Sequence, residues 1–396
     1  MQALIKRWII SGLLLITQVA NATPESRFNM PRGVTPISNA IYDLHMAIFW
    51  ICVAIGVIVF SVMIYSLINH RKSLGVKPAT FHESVKVEIL WAIVPFFILV
   101  VMAIPATRVL IHMEDTKQAD VTIKVTGYQW KWQYEYLDEG ISFYSSLATP
   151  IEEIHNKAKK NEHYLLDVDH EMVVPVGKKV RLLVTANDVI HSWWVPQLGI
   201  KRDAIPGFIH ESWMRISKAG VYRGQCAELC GINHGYMPIV VRAVSEKDYE
   251  AWVKKERDDI TAAEALATKT FSAKELMEKG KSVYENVCAV CHQINGLGIL
   301  PVYPAIKGSS VSVGKPHSRH IDIILHGRNA MPAFGAQLND FEIAAVVTYE
   351  RNAFDNNTGD VIQPSEVKAR RNVKPNVNQK TAKKKPINHH HHHHAS

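Results

Sequence analysis

The chain has 396 residues, 47% of them hydrophobic, and a formal net charge of +8 at pH 7. This length allows two or three domains. The positive charge is concentrated near the C-terminus, where residues 365–388 contain eight Lys or Arg and one Glu. Residues 113–245 contain 15 basic and 16 acidic residues, and residues 271–355 contain eight of each. The net charge therefore does not indicate a nucleic-acid-binding surface. We therefore exclude a nucleic-acid partner. Residues 356–396 are interpreted as a basic, solvated tail that ends in a histidine purification tag at 389–394.

The N-terminus has the order of residues that is typical of a secretory signal peptide. Lys6 and Arg7 precede an apolar run at residues 8–16, and Ala-Asn-Ala follows at residues 20–22. The alternative, a third transmembrane helix, needs a longer apolar run to span a bilayer. We predict a signal peptide at residues 1–22.

Two further apolar stretches predict membrane spans. Residues 46–69 and 89–107 contain no Asp, Glu, Lys, Arg or His, and about 20 apolar residues suffice to cross the hydrocarbon core as a helix. The short loop between them carries four basic residues: Arg71, Lys72, Lys77 and Lys86. The positive-inside rule places this loop in the cytoplasm, so both ends of the hairpin emerge on the periplasmic side. We therefore predict that residues 23–112 form an N-terminal segment and a two-helix hairpin in a bacterial inner membrane.

The remaining chain predicts one β domain and one α domain. Val121, Ile123 and Val125 alternate with polar residues, which is typical of a half-buried strand, and residues 180–185 and 220–223 look like further strands. Residues 113–245 are therefore predicted to be an all-β domain. Residues 246–270 are rich in charge and alanine and predict a helical linker, and residues 271–355 predict an all-α domain.

The first chemical motif combines two thiols, two imidazoles and a thioether. Cys226, Cys230, His234 and Met237 follow one another closely, and His191 precedes them. These residue types form a copper ligand set. A mononuclear blue-copper site uses one cysteine, whereas two cysteines this close allow two thiolates to bridge a pair of copper ions. A disulfide would leave the histidine and methionine unexplained, and a zinc site has no need of the methionine.

Residues 37–245 resemble subunit II of the cytochrome c oxidases, in which a helical hairpin precedes a cupredoxin-like domain with a dinuclear copper centre called CuA. The motif quoted above carries the resemblance. It implies that Cys226 and Cys230 are bridging thiolates and that His191 and His234 are imidazole ligands. Met237 is implied as a thioether ligand, and Glu228 as a ligand through its backbone carbonyl.

The resemblance also implies roles at the interface with the catalytic subunit. The Glu228 side chain is expected to help bind a shared magnesium ion, and Asp203 is similar to another polar residue of that interface. The alternative for Asp203 is a turn residue before Pro206 and Gly207. Glu88 matches a glutamate at the mouth of a proton-uptake path, although an ionisable group at a helix end can also simply contact interfacial water.

An aromatic segment follows the first predicted strand. Trp130 matches the family's tryptophan through which electrons from an external cytochrome c enter, and Lys131 stands where many relatives have an aromatic residue, so donor docking is expected to differ. The alternative is a packed strand face. We favour this alternative for Trp132, Tyr134 and Tyr136.

The second motif is Cys288-Ala-Val-Cys291-His292, which attaches c-type haem through two thioethers and one proximal histidine. The one methionine downstream is Met331, and Pro332 favours an extended backbone there, which suits a loop presenting sulfur to iron. The competing distal ligands are His317, His320 and His326. Residues 271–354 resemble a small class I cytochrome c.

Together these features predict the subunit through which electrons enter a haem–copper terminal oxidase. Cytochrome c or another donor reduces haem c, the electron passes to CuA, and subunit I, with further membrane subunits, reduces oxygen and pumps protons. The chain has no complete catalytic site of its own. Two alternatives remain open: a CuA subunit of a nitric oxide reductase, and a stand-alone membrane-tethered electron carrier.

Overall fold

The computed structural model describes residues 29–77, 80, 82–329, 331–335, 337–371 and 373. The predicted signal peptide and the histidine tag lie outside the described residues. The chain divides into two compact units, Met1–Glu256 and Arg257–Ser396. The first unit holds the hairpin and the predicted β domain, and the second holds the predicted α domain.

Two long helices, α1 (Pro36–Asn69) and α2 (Val85–Met113), form the hairpin, with a short 3-10 turn at Lys72–Leu74 between them. Both are long and apolar enough to cross a membrane. Helix α1 begins at a capping box, because the Thr35 side chain accepts a hydrogen bond from the backbone of Ser38 and the Ser38 side chain reciprocates. Helix α2 continues through its two internal prolines.

The β domain is a pair of five-stranded sheets with the orders β3-β2-β1-β5-β8 and β4-β10-β9-β6-β7. Strands β1 and β5 pair in parallel, as do β4 and β10, and the other pairs are antiparallel. The strands are β1 (Val121–Tyr128), β2 (Lys131–Tyr136), β3 (Ile141–Ser145), β4 (Met172–Pro175), β5 (Val180–Ala186), β6 (His191–Val195), β7 (Ile200–Ala204), β8 (His210–Met214), β9 (Gly220–Cys226) and β10 (Pro238–Val244). A short helix α3 (Ile151–Ile154) follows β3.

Alternating apolar side chains build the core between these sheets. Ile123 and Val125 of β1 are fully buried, as the alternation predicts. The aromatic side chains of β2 are buried as well, and the Tyr136 hydroxyl donates a hydrogen bond to the Val173 carbonyl at 2.8 Å. Trp132, Tyr134 and Tyr136 are therefore packing residues of the sandwich.

Both ends of the hairpin are fastened to the sandwich. At the start of α1 the Thr35 hydroxyl donates to the Leu198 carbonyl at 2.8 Å. At the end of α2 the Trp213 indole donates to the His112 carbonyl at 3.1 Å. The β domain is consequently held next to one end of the hairpin, which corresponds to the periplasmic side in the predicted topology.

The expected linker begins as a helix packed on the sandwich. Helix α4 (Glu246–Leu266) places the Trp252 ring 5.0 Å from that of Tyr136. One turn further on, Glu256 lies 3.3 Å from the His170 imidazole. The first half of α4 is therefore part of the first unit.

The second unit is built on helices. They are α5 (Ala273–Val283), a π-helical turn (Tyr284–Cys288), α6 (Ala289–His292), α7 (Ser318–His326), α8 (Asp340–Asn352) and α9 (Pro364–Arg371). Capping boxes start α5 at Ser272 and α8 at Asn339. Helices α5 and α8 pack closely at Gly280, because a Cβ there would lie 2.1 Å from the Ala345 carbonyl oxygen.

The helical unit extends past its expected end at Asp355. Ile362 and Val367 are fully buried in the same core as α8, and α9 follows in the segment that we expected to be solvated tail. Both arginines of α9 pair with acidic partners, Arg370 with Asp322 and Arg371 with Asp340. The few apolar residues of this segment show no periodic pattern, so composition alone does not reveal this packing.

Candidate metal and haem sites

Two neighbouring strands bring the first motif together. His191 begins β6 and Cys226 ends β9, and these strands pair with Trp193 opposite Cys226. Cys230, His234 and Met237 lie in the connection from β9 to β10. His191 and Cys226 are 35 positions apart in sequence, and they meet because the sheet pairs their strands.

The predicted ligands converge on the two thiols. The Cys226 Sγ atom lies 3.9 Å from the His191 Nδ1 atom and 3.4 Å from the Glu228 carbonyl oxygen. The Cys230 Sγ atom lies 3.5 Å from the His234 Nδ1 atom and 3.6 Å from the Met237 Sδ atom. Each thiol therefore has its own imidazole and its own weak ligand.

The two sulfur atoms are 3.9 Å apart, well beyond the about 2.05 Å of a disulfide bond, and both cysteines are free. Both are buried, as are His191 and Met237. Burial and the nearby Cys226 charge raise the pKa of Cys230 to about 12. Two buried thiolates this close repel each other unless a cation lies between them. The donor set fits the soft copper ion that the resemblance implies, and Met237 distinguishes it from a zinc set.

Asp188 orients His191, a role that sequence reasoning missed. Its carboxylate accepts a hydrogen bond from the His191 Nε2 atom at 2.8 Å and another from the backbone of Gln129. Burial opposes the charged carboxylate, but these hydrogen bonds outweigh it and lower the pKa of Asp188. The contact leaves the Nδ1 atom of His191 facing Cys226, as a metal ligand requires. The signal available in the sequence was an acidic residue three positions before the histidine.

Gly127 makes room for the same imidazole. A Cβ atom on Gly127 would lie 2.9 Å from the Cδ2 atom of His191. We expect Gly127→Ala to displace the ring and weaken copper retention roughly tenfold or more, as loss of a supporting residue does in other metal sites. Competition with a copper chelator measures the effect. Gly235→Ala is the control, because its methyl group would enter open space although it neighbours His234. Equal retention in Gly127→Ala and the native chain contradicts the role of Gly127.

Trp130 is joined to the thiol cluster. Its indole Nε1–H donates to the Cys230 carbonyl at 3.1 Å. The next residue, Lys131, is buried, and its ammonium group lies 4.5 Å from the centre of the Tyr144 ring. Burial lowers the pKa of Lys131 to about 8, although the charges of Asp169 and Asp188 oppose this shift. Lys131 therefore does not present a surface charge to a docking donor.

The other residues implied by the resemblance lie at exposed positions. The Glu228 side chain is exposed next to the cluster, and Asp203 is exposed on β7. Asp203 pairs with Ser192 in the sheet, and the Ser192 carbonyl accepts a hydrogen bond from the backbone amide of Ala227, the residue before Glu228. Glu88 is exposed in the first turn of α2. The magnesium and proton-path roles of these residues stay predictions.

The haem motif lies where the π-helical turn meets α6. His292 is buried, and its Nδ1–H donates to the Pro304 carbonyl at 2.7 Å. This bond fixes the tautomer in which the Nε2 atom is left available as a ligand for iron. Apolar residues around the motif are exposed, which is unusual for such a cluster and suits a large apolar porphyrin: Val290, Ile294, Leu297, Ile299 and Leu300. The residues present therefore fit haem c.

Met331 is half-buried against the same apolar core as Cys288. Among the competing histidines, His317 lies 2.8 Å from Glu366 and His320 lies 2.7 Å from Glu350, so both Nε2 atoms are engaged. The Nε2 atom of His326 and the Nδ1 atom of His320 are both buried without a hydrogen-bond partner among the residues that the structure describes, but the His320 ring is held by Glu350. Met331 stays the predicted distal ligand, with His326 as its competitor.

Three family models match successive parts of the chain. The family models "Cytochrome C oxidase subunit II, transmembrane domain" and "Cytochrome C oxidase subunit II, periplasmic domain" match residues 23–109 and 121–244, and "Cytochrome C oxidase, cbb3-type, subunit III" matches residues 275–349. The "Probable cytochrome c oxidase subunit 2" of Rickettsia bellii is 42% identical over 61% of this chain and 89% of its own length. The subunit 2 of Cereibacter sphaeroides is 40% identical over 57% of this chain and 78% of its own length.

A solved structure, the periplasmic domain of subunit II of cytochrome oxidase from Bradyrhizobium japonicum, is 43% identical and covers 36% of this chain and 98% of its own, with a TM-score of 0.33. Two apolar helices, a cupredoxin-like domain and a C-terminal helical domain define a membrane-anchored cupredoxin-like protein fused to a cytochrome c domain. The chain belongs to the cytochrome c oxidase subunit II family.

Proposed function

We propose that this chain is the subunit through which electrons enter a haem–copper terminal oxidase of a bacterial inner membrane. The observation that carries the proposal is the convergence of two thiols, two imidazoles, a thioether and a carbonyl in one buried cluster. When bound, dinuclear copper and haem c supply one-electron carriers. The partners are subunit I with further membrane subunits, and cytochrome c or another donor.

The chain's own residues hold and shield these carriers. Cys226 and Cys230 would hold the copper as thiolates, and His191, held by Asp188, would supply one imidazole at a fixed orientation. His234, Met237 and the Glu228 carbonyl would complete the ligand set. Burial of the cluster excludes water, so little solvent has to reorganise when its charge changes. Such a buried set of protein donors would suit electron transfer rather than chemistry on a substrate.

Trp130, Glu228, Asp203 and Glu88 are the residues that we assign to contacts with partners. Trp130 offers a path to the Cys230 backbone through its indole hydrogen bond. The exposed Glu228 side chain would help bind a magnesium ion shared with the catalytic subunit, and the exposed Asp203 would be another polar residue of that interface. Glu88, at the cytoplasmic end of α2 in the predicted topology, is assigned to the mouth of a proton-uptake path.

Oxygen and nitric oxide consumption by the purified complex test this proposal. We expect the chain to co-purify with a large membrane subunit, and the complex to consume oxygen with a reduced donor. Consumption of nitric oxide in place of oxygen would assign the chain to a reductase. Isolation of the chain as a stable protein with both carriers and no large subunit would identify a stand-alone electron carrier.

Internal electron transfer from haem to copper is expected to be nearly independent of ionic strength. Residues 113–245 carry 15 basic and 16 acidic residues, and residues 271–371 carry eleven basic and ten acidic residues, so neither domain strongly attracts the other by net charge. The covalent connection sets the effective concentration instead. Flash reduction of the haem, followed at the copper absorption band across a salt series, measures this step. A steep fall of the internal rate with salt, or a dependence on protein concentration, contradicts it.

A further inference from the structure

We propose that Arg371, at the end of α9, is a positioning residue for the distal haem ligand. It would hold the connection from α7 to α8, which carries Met331, in the geometry that the sulfur–iron bond needs. This inference rests on the proposed function, because it takes Met331 as the haem ligand.

The guanidinium of Arg371 fastens one side of this connection. Its Nη2 atom donates to the Leu338 carbonyl at 2.7 Å, its Nη1 atom donates to the Gly335 carbonyl, and its Nε atom pairs with the Asp340 carboxylate. Two backbone carbonyls and one carboxylate are thus held by a single planar group. A lysine has no such fork and cannot reproduce this arrangement.

Helix α7 fastens the other side. The backbone amides of Phe334 and Gly335 donate to the carbonyls of Ile324 and Leu325 at 2.8 and 3.1 Å. Met331 closes a turn with Arg328, in which each backbone amide donates to the other's carbonyl. Residues 331–335 are therefore held against α7, while Arg371 ties Gly335 and Leu338 to α9.

Helix α9 is a firm base for this contact. Val367 is fully buried in the core of the unit. Glu366 lies 2.8 Å from His317, and Arg370 forms a two-pronged ion pair with Asp322 of α7. Arg371 therefore extends from a helix that is fixed independently of the contacts that Arg371 makes.

This arrangement matters because a side chain in a loop keeps its ligand geometry only where the surrounding residues hold the backbone. The connection between α7 and α8 contains no α-helix or multi-residue strand among its described residues, 327–329, 331–335 and 337–339. Without Arg371 the carbonyls of Gly335 and Leu338 lose their guanidinium donor. We expect Met331 to leave the iron more often as a result.

The test compares Arg371→Gln with Arg370→Gln in the full-length, haem-loaded chain. The two residues are adjacent and equally charged, and both form ion pairs, but Arg370 contacts α7 rather than the connection. Carbon monoxide binds ferrous haem only after the methionine leaves. We expect at least tenfold faster carbon monoxide binding and a weaker sulfur–iron absorption band in Arg371→Gln. We expect a much smaller change in Arg370→Gln, because Val367 and Glu366 still hold α9, and an intermediate rate in Arg371→Lys.

Covalent haem content and circular dichroism establish that each variant is folded. The role of Arg371 is overturned if the native chain shows the band and Arg371→Gln shows the same band and the same binding rate. The proposed function is then left intact. Equal acceleration in Arg370→Gln also overturns it, because the effect would then belong to α9 as a whole. A native chain without the band overturns the Met331 assignment and this inference together.

Discussion

Replacing Cys230 with serine is expected to destroy the dinuclear copper centre and to lower electron delivery to the catalytic subunit by roughly a hundredfold or more. The Cys230 Sγ atom has three of the predicted donors around it, at 3.9 Å from Cys226, 3.5 Å from His234 and 3.6 Å from Met237. A serine oxygen is a hard donor and does not bridge copper as a thiolate does. The variant therefore leaves at most one copper on Cys226 and His191.

Electron paramagnetic resonance of the oxidised full-length chain measures this change directly. The native chain should show hyperfine coupling to two equivalent copper nuclei, and Cys230→Ser should show coupling to one nucleus or no copper signal. Cys52→Ser is a matched control, because Cys52 is exposed on the membrane helix α1 and lies outside the cluster. Coupling to two nuclei in Cys230→Ser, or zinc as the bound metal of the native chain, contradicts the assignment.

The site was predictable where its residues are close in sequence. The spacing of Cys226, Cys230, His234 and Met237 is a property of one connecting segment, so their convergence follows from the motif. The alternation at β1 likewise predicted the buried positions of Ile123 and Val125. In both cases the information is local, and the sheet has only to supply His191 from the neighbouring strand.

What the sequence did not reveal depends on contacts between distant segments. Gly127 begins the aromatic segment that contains Trp130, but the need for a glycine there appears only in the structure, where β1 passes close to the His191 ring. Arg371 lies in a basic stretch that composition assigns to solvent, yet it binds Leu338 and Asp340. Helix α4 was expected as a linker, and the burial of its first half depends on aromatic residues of β2 and β3. Each of these features requires knowledge of which elements pack together.

The second large effect is expected at the haem. Met331→His should abolish the sulfur–iron absorption band of the oxidised protein. It should also lower the haem reduction potential by roughly a hundred millivolts, which is a fraction of the range of about 0.8 V over which axial ligands set haem potentials. The reason is that methionine–histidine ligation favours the reduced iron relative to two nitrogen ligands. A shift of about 59 mV changes a one-electron equilibrium constant tenfold. A lower haem potential should therefore make the variant accept electrons from an outside donor less readily.

Potentiometric titration of the haem and the absorption spectrum measure both effects, and His326→Leu supplies the control. His326 is the competing ligand, because its Nε2 atom is buried without a partner among the described residues. If Met331 is the ligand, His326→Leu keeps the band and the potential, and haem stays covalently attached in both variants after acid–acetone extraction. A band that survives in Met331→His requires sulfur from upstream of the haem motif, because Met331 is the one methionine downstream of it. Loss of native ligation in His326→Leu, with an unchanged spectrum in Met331→His, would instead identify a haem held by two histidines.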